Sequence, residues 1–197
     1  MRLDRFSNPE FDRGASRAKE AAWTVVSGVL VASWIPGTGW RRTILRAFGA
    51  EIGDGVVIKP GLRVKFPWRL KVGDHVWLGE DVWIDNLAQV TIGGHSCLSQ
   101  GAYLCTGSHD WADPRFSLQT RPIVLEGECW VGARACLAPG TVMERGAVLT
   151  MAAVGTGRLS GWTIHGGYDG AVHRPRMERR PALNTAATAA DTAGLTA

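Results

Sequence analysis

Two hydrophobic periods divide the chain. Residues 16–35 (SRAKEAAWTVVSGVLVASWI) start cationic and continue as an apolar run of about fifteen. The pattern predicts a helix, broken by Pro36–Gly39. The run is shorter than the roughly 20 residues a bilayer span needs, which predicts a helix packed on the body or lying at a membrane interface. Residues 40–49 (WRRTILRAFG) predict a second, short amphipathic helix with its arginines on one face, closed by Gly49. Residues 1–15 read as an irregular arm.

From residue 52 the period becomes six. Ile52, Ile58 and Val64 form a first run, Val72, Leu78 and Ile84 a second, and Ile92, Leu98 and Leu104 a third. After a gap come Leu125, Val131, Leu137, Met143 and Leu149. Four places after each aliphatic residue stands a small or apolar one: Val56, Leu62, Val76, Val82, Ala88, Ser96, Ala102, Ser108, Cys129, Ala135, Thr141 and Ala147. Neither a 3.6-residue helix nor a two-residue strand gives this spacing. Six residues make one short strand and one turn, and three such units close a triangular coil of about eighteen residues. Each coil covers the core of the next, so stability is a sum over neighbours. The prediction is a mainly β protein, a parallel β-helix of hexapeptide repeats with N-terminal helices and a protruding loop. The loop is residues 110–124, where the phase breaks. A loop of that length on a compact solenoid points to function.

The domain organisation read from these patterns is an arm and helices over 1–50 and a β-helix over 51–155. An exit segment covers 156–180, basic from Arg174, and an Ala/Thr-rich disordered tail covers 181–197.

Composition narrows the chemistry. The net charge is +4, and its excess is local, at Arg41, Arg42 and Arg46 and again at Arg174, Arg176, Arg179 and Arg180. Solvated faces, an anionic lipid surface or a phosphorylated cofactor suit such clusters. No aromatic-plus-basic stripe accompanies them, so nucleic acid is not expected. The four cysteines, Cys97, Cys105, Cys129 and Cys136, form no CxxC pair and read as small core residues. The five histidines (75, 95, 109, 165, 173) offer no pair five apart, so no metal site is expected. The polar start from Met1 to Gly14 lacks a signal-peptide pattern, which predicts a cytoplasmic location. His109 ends the last hexad before the loop, where a neutral imidazole suits a general base for an alcohol. Two polar residues, Asp85 and Asn86, interrupt an apolar run one coil earlier.

Residues 72–110, 122–154 and 44–61 (ILRAFGAEIGDGVVIKPG) resemble hexapeptide-repeat O-acetyltransferases. The nearest group is the colanic-acid biosynthesis acetyltransferases, and the broader one the maltose, galactoside and nodulation-factor acetyltransferases. Ser108-His109-Asp110 and Trp130-Val131-Gly132-Ala133 are the most specific motifs, and the eighteen residues from Ile92 to His109 match the family's spacing to its catalytic histidine. The resemblance implies a left-handed coil, a homotrimer, acetyl-CoA as co-substrate and a sugar or glycolipid acceptor. It makes His109 the base, with Asp110 or Asp85 as candidates to orient it. Asp81 stands where relatives carry a substrate-binding Asn, and Asn86 and Trp111 are further acceptor candidates. Trp130, Ala133, Ala152 and Ala153 would line the cofactor. Gly157 replaces the family's Lys, and Gly166-Gly167-Tyr168-Asp169 replaces Gly-Asn-Pro-Ala, which shifts phosphate binding to Arg158, Arg174 or Arg176. The rival readings are acyl transfer to another small acceptor and a non-catalytic β-helix binding module.

Overall fold

The computed structural model describes residues 3–167 and 171–175, with the backbone course alone for Arg5 and 171–174. The predicted tail, the basic residues 176–180 (Arg176 among them) and Tyr168–Gly170 lie outside the described residues.

Helix α1 (Arg17–Val26) is capped by the Ser16 hydroxyl, which accepts from the Lys19 N–H. It runs into a π-helical turn, Ser27–Val31, and stops there, short of the predicted end at 35. Helix α2 (Gly39–Ala47) follows. No helix among the described residues is long and apolar enough to cross a membrane. Both helices cap the first coil: Trp23 is buried and its indole N–H donates to the Val64 carbonyl at 2.9 Å. Arg41 corrects the amphipathic reading. It is fully buried, and its guanidinium donates to the carbonyls of Val31, Ser33, Ile35 and Gly37 at 3.0, 2.6, 2.7 and 2.5 Å. One cation thus satisfies the carbonyls that the end of the π-turn leaves without helical partners.

The body is a parallel β-solenoid. Its first coil is β1 (Glu51–Ile52), β2 (Val57–Ile58) and β3 (Arg63–Val64). The second is β4 (Leu70–Val72), β5 (Trp77–Leu78) and β6 (Trp83–Asp85), and the third β7 (Val90–Ile92), β8 (Cys97–Leu98) and β9 (Tyr103–Cys105). A hairpin, β10 (Gly107–His109) and β11 (Leu118–Thr120), projects there. The fourth coil is β12 (Ile123–Leu125), β13 (Trp130–Val131) and β14 (Cys136–Leu137). The fifth is β15 (Val142–Met143), β16 (Val148–Leu149) and β17 (Val154–Gly155). An incomplete sixth holds β18 (Arg158–Leu159) and β19 (Thr163–Gly166), and β20 (Ala171–Pro175) turns back antiparallel on β19. The strands stack into three faces, first β1-β4-β7-β12-β15-β18, second β2-β5-β8-β13-β16-β19, third β3-β6-β9-β14-β17.

Each hexad aliphatic residue from Ile52 to Leu149 is buried, so the six-residue phase is the core. The cysteines depart from prediction. Cys129 is buried, but Cys97, Cys105 and Cys136 stand half-buried beside an inward Leu, pointing out of the coil. Ladder alternation decides this, because neighbours on a strand face opposite ways.

The coil length also departs from eighteen. The step from one face to the next is six at the first edge, between first and second faces, and six at the second edge, between second and third. Only the third edge varies. There the register places Val72 20 residues after Ile52, Ile92 20 after Val72, and Leu125 33 after Ile92. Met143 then follows by 18 and Leu159 by 16. The surplus at the third edge is held by buried side chains. The Asn86 amide donates to the carbonyls of Phe66 (2.7 Å) and Arg69 (2.9 Å) and accepts from the Phe66 N–H (2.9 Å). Thr106 Oγ1 donates to the Asp85 carbonyl and accepts from the Ala88 N–H. Ala88 and Ser108, predicted as corner residues, therefore sit half-buried and exposed on this edge.

Candidate active site

His109 closes β10 on the third edge, at the base of the hairpin. Its Nδ1 lies 2.8 Å from the carbonyl of Phe116, and its ring stacks on the Phe116 ring at 4.1 Å and 2°. A carbonyl can only accept, so Nδ1 carries a proton, and in the neutral imidazole the lone pair is on Nε2. Phe116 has φ +52°, an uncommon conformation for a bulky residue, and this turns its carbonyl back toward the imidazole. The ring of Phe6, from the N-terminal arm, meets His109 edge-on at 6.0 Å. Phe116 is a site residue that sequence reasoning missed. A backbone acceptor leaves no mark in the residue alphabet.

The two carboxylates proposed to orient His109 are committed elsewhere. Asp110 Oδ1 accepts from the N–H groups of Ala112 (2.9 Å) and Asp113 (3.2 Å), shaping the hairpin tip. Asp85 lies on β6, where the Tyr103 hydroxyl donates to its Oδ2 at 3.4 Å. Burial, then Cys105 and Asp85 themselves, push the Tyr103 phenol above its ordinary pKa, so it stays a donor. Asn86 is corrected outright: it is fully buried and bonded to the backbone on every side, with nothing left for an acceptor. Asp81 is an exposed second-edge corner with φ +55°, one coil before the hairpin coil. Trp111 is 81% exposed at the hairpin tip.

The arm builds a wall beside the histidine. The Arg69 guanidinium donates to the Asp12 and Leu87 carbonyls, and Phe11 stacks on Phe66. Between Asn8, Glu10 and Phe11 of the arm and Arg115, Ser117 and Thr120 of the hairpin opens a polar cavity of about 350 Å³.

A second cavity, about 490 Å³, lies on the second edge against Trp130, Gly132, Ala133, Val148, Thr150 and Met151. The Trp130 indole N–H is held by Ser99 Oγ at 2.9 Å. A neighbouring cavity of about 270 Å³ shares Ser99 and Gln100 and continues the groove to Lys59. The predicted cofactor residues divide here. Trp130 and Ala133 line the groove; Ala152 forms the corner, its N–H donating to the Ala133 carbonyl; Ala153 is buried. Arg158 is displaced: it lies on the first face, ion-paired with Glu144 (2.9 Å) and Glu126 (4.0 Å). Of Arg174 only the backbone, paired with Ile164, is described. Lys59 lines the far end of the groove, and Arg134, exposed at φ +56°, follows the groove residue Ala133 in the chain; sequence reasoning passed over both cations. The half-buried Cys97 and Cys136 have thiol pKa values raised by burial, which keeps them protonated and poor nucleophiles. No cluster of three metal-ligating side chains occurs among the described residues.

No protein-family model matches the chain. It is 42% identical over 149 residues, 75% of this chain and 81% of the relative, to the protein of Escherichia coli (strain K12) named as the colanic acid biosynthesis acetyltransferase WcaF. In structure it is similar to a hexapeptide-repeat acetyltransferase of Vibrio cholerae solved with acetyl coenzyme A (TM-score 0.76, 21% identity, covering 89% of this chain and 97% of that one). It is also similar to a maltose O-acetyltransferase of Clostridium difficile 630 (TM-score 0.73, 17% identity, covering 90% and 99%). The two solved structures share the coil, and the 42% relative carries the resemblance into sequence: the chain belongs to the hexapeptide-repeat acetyltransferases, in the group of WcaF.

Proposed function

We propose that the protein transfers an acetyl group from acetyl-CoA to a sugar hydroxyl of an exopolysaccharide or glycolipid precursor, with His109 as general base. The observation that carries this reading is the His109–Phe116 pair. A ring held by a 2.8 Å bond at Nδ1 and a stacked neighbour offers one free nitrogen, Nε2, at the base of the hairpin whose Arg115, Ser117, Leu118 and Thr120 line a polar cavity. Nε2 takes the proton of the hydroxyl as its oxygen attacks the thioester carbonyl. The tetrahedral intermediate collapses, the C–S bond breaks, and the imidazolium returns the proton to the leaving thiolate. No acyl-enzyme is required, so transfer is direct in a ternary complex. Asp85 and Asp110 act through the frame of the site, not on the imidazole.

The second-edge groove suits the co-substrate. Trp130, Gly132 and Ala133 give an apolar wall for a flexible thioester arm; Lys59 lines its far end and exposed Arg134 follows Ala133 in the chain, as cations for phosphates. Trp111 and the 350 Å³ cavity are the acceptor side. The base stands on the third edge and the groove on the second, one face apart, roughly 20 Å for six extended residues. A homotrimer, in which one chain's third edge meets another's second, unites them. The reading places the enzyme in the cytoplasm, with peripheral contact to the inner membrane face through residues 16–48.

The test is His109→Ala. Acetyl transfer should fall at least about a hundredfold, with the melting temperature unchanged. Undiminished transfer overturns the base assignment.

A further inference from the structure

Helix α1 turns the wrong side to water. At 3.6 residues per turn, Ala18, Ala21, Ala22 and Val25 share one face of the helix, and Val29 follows in the π-turn; all are exposed, Val25 by 64% and Val29 by 66%. The opposite side buries Trp23, and the turn beyond it buries Val31. An ordinary surface helix shows charge outward and apolar residues inward. Here the outward stripe holds no charge. It continues into Trp34, 83% exposed, and Ile35, 47% exposed. These two do not hang from a loose loop. The Arg41 guanidinium binds the carbonyls on either side of Trp34, at Ser33 and Ile35, and fixes the turn with its side chains outward.

The charge around this patch has one sign. From residue 21 to residue 50 there is no Asp or Glu. Of the arginines there, Arg41 is buried and Arg46 is held by the Ile52 carbonyl and Asp54, so the accessible cations are Arg42 and, just before the interval, exposed Arg17. Glu20, nearest on the N-terminal side, is paired with Arg13. We propose that this stripe and the Trp34–Ile35 turn dock on an anionic phospholipid surface, the apolar side chains entering the headgroup boundary and the accessible arginines facing the phosphates. Amphipathic segments bind membranes by this combination of apolar area and cationic charge, and tryptophan favours that boundary. A second copy of the chain is the poorer occupant, because a twofold contact through the patch sets arginines against arginines.

The dock deepens the peripheral contact proposed above and rests on that reading. It points to an acceptor carried on a lipid. From the Ser16 cap the arm runs back along the third edge to Phe6 on His109, so the docked end and the base share one edge of the solenoid.

The full-length protein sedimented with vesicles tests this. Vesicles containing phosphatidylglycerol should bind it at least about tenfold better than pure phosphatidylcholine, and less as salt rises. Val25→Asp/Val29→Asp and, separately, Trp34→Ala should each lower binding at least about tenfold, with unchanged melting temperature. No vesicle binding, binding indifferent to lipid charge, or variants that bind as the parent does overturns the dock. A change of oligomeric mass in the variants overturns it too, and assigns the stripe to a contact between copies. Acetyl transfer to a soluble sugar, measured in parallel, keeps the two proposals apart. Variants that lose vesicles but keep transfer support the dock; a parent chain that binds vesicles without transferring acetyl loses only the catalytic reading.

Discussion

The first and second edges of the solenoid differ from the third in one respect that organises the whole molecule. At the first two, every coil advances by six residues; at the third, the step from one aliphatic residue to the next is eight, eight, twenty-one, six and four along the chain. The constant edges are tight because neighbouring backbones leave no room. A Cβ on Gly132 would lie 2.6 Å from the Met151 amide, and one on Gly93 2.4 Å from the Glu126 carbonyl. The third edge is where Asn86 and Thr106 can satisfy extra backbone groups, and it alone can carry a hairpin without disturbing the stack. In the proposed function the base stands on the edge that tolerates length, and the groove proposed for the co-substrate runs along one that does not. On that proposal, a loop at the variable edge can be remodelled for its acceptor while the co-substrate keeps a fixed wall.

Insertions break or sharpen this contrast most strongly. Two residues inserted after Ala133, on the second edge, should prevent folding or lower the melting temperature by more than about 15 °C, because a whole coil leaves register. The same two residues after Pro139, on the third edge, should lower it by less than about 5 °C. Thermal melts of both decide it, and equal effects would abolish the distinction.

Arg41→Met should cost about 2–4 kcal/mol, since four carbonyls lose a charged donor. Denaturant titration measures the loss. Vesicle binding should weaken as well, because the Trp34 turn loses its clasp.

Gly132→Ala should cost about 1–3 kcal/mol through the backbone clash on the second edge. Gly157→Lys, at a third-edge turn with nothing within 4 Å of the added Cβ, should cost about 1 kcal/mol, from its φ of +62° alone. It also restores the family's usual residue there. Comparison of the two melts shows whether crowding or conformation governs each edge.

Acid gives the smallest effect. The Gly161 N–H, then Arg158, hold the Glu144 carboxyl below its ordinary pKa. A depressed carboxylate adds stability above its unfolded value near 4.5, and that share is lost as pH falls through the lower folded value. Glu144→Gln should therefore be less stable than the parent at neutral pH, and the gap should close below about pH 4. A gap independent of pH would show that the substitution changes packing, not charge.

Most of the fold was legible in the sequence. Aliphatic residues at a period of six must face one axis, because only a short strand and a turn repeat at that length. The position of His109 at the root of the hairpin was legible too, as the last residue before the phase breaks. What escaped shared one physical cause: backbone groups decide it, and residue patterns do not print them. The orienter of the imidazole is the Phe116 carbonyl, so the search among carboxylates reached for Asp85 and Asp110. Asn86 looked like a site residue because it is polar, and its amide is spent on the backbone of Phe66 and Arg69 at the widened edge. Arg41 read as a solvated charge and is a buried clasp on four carbonyls. Arg158 follows Gly157, which stands at the family's Lys position, and was the nearest substitute cation, yet the sixteen-residue last coil turns it onto the first face, toward Glu144. The sequence by itself determined the coil, its core and the place of the hairpin, since those follow from side-chain period. The tertiary structure decided which edge could vary, which nitrogen of His109 is free and which charges are spoken for, because those depend on where distant backbone carbonyls and carboxylates come to rest.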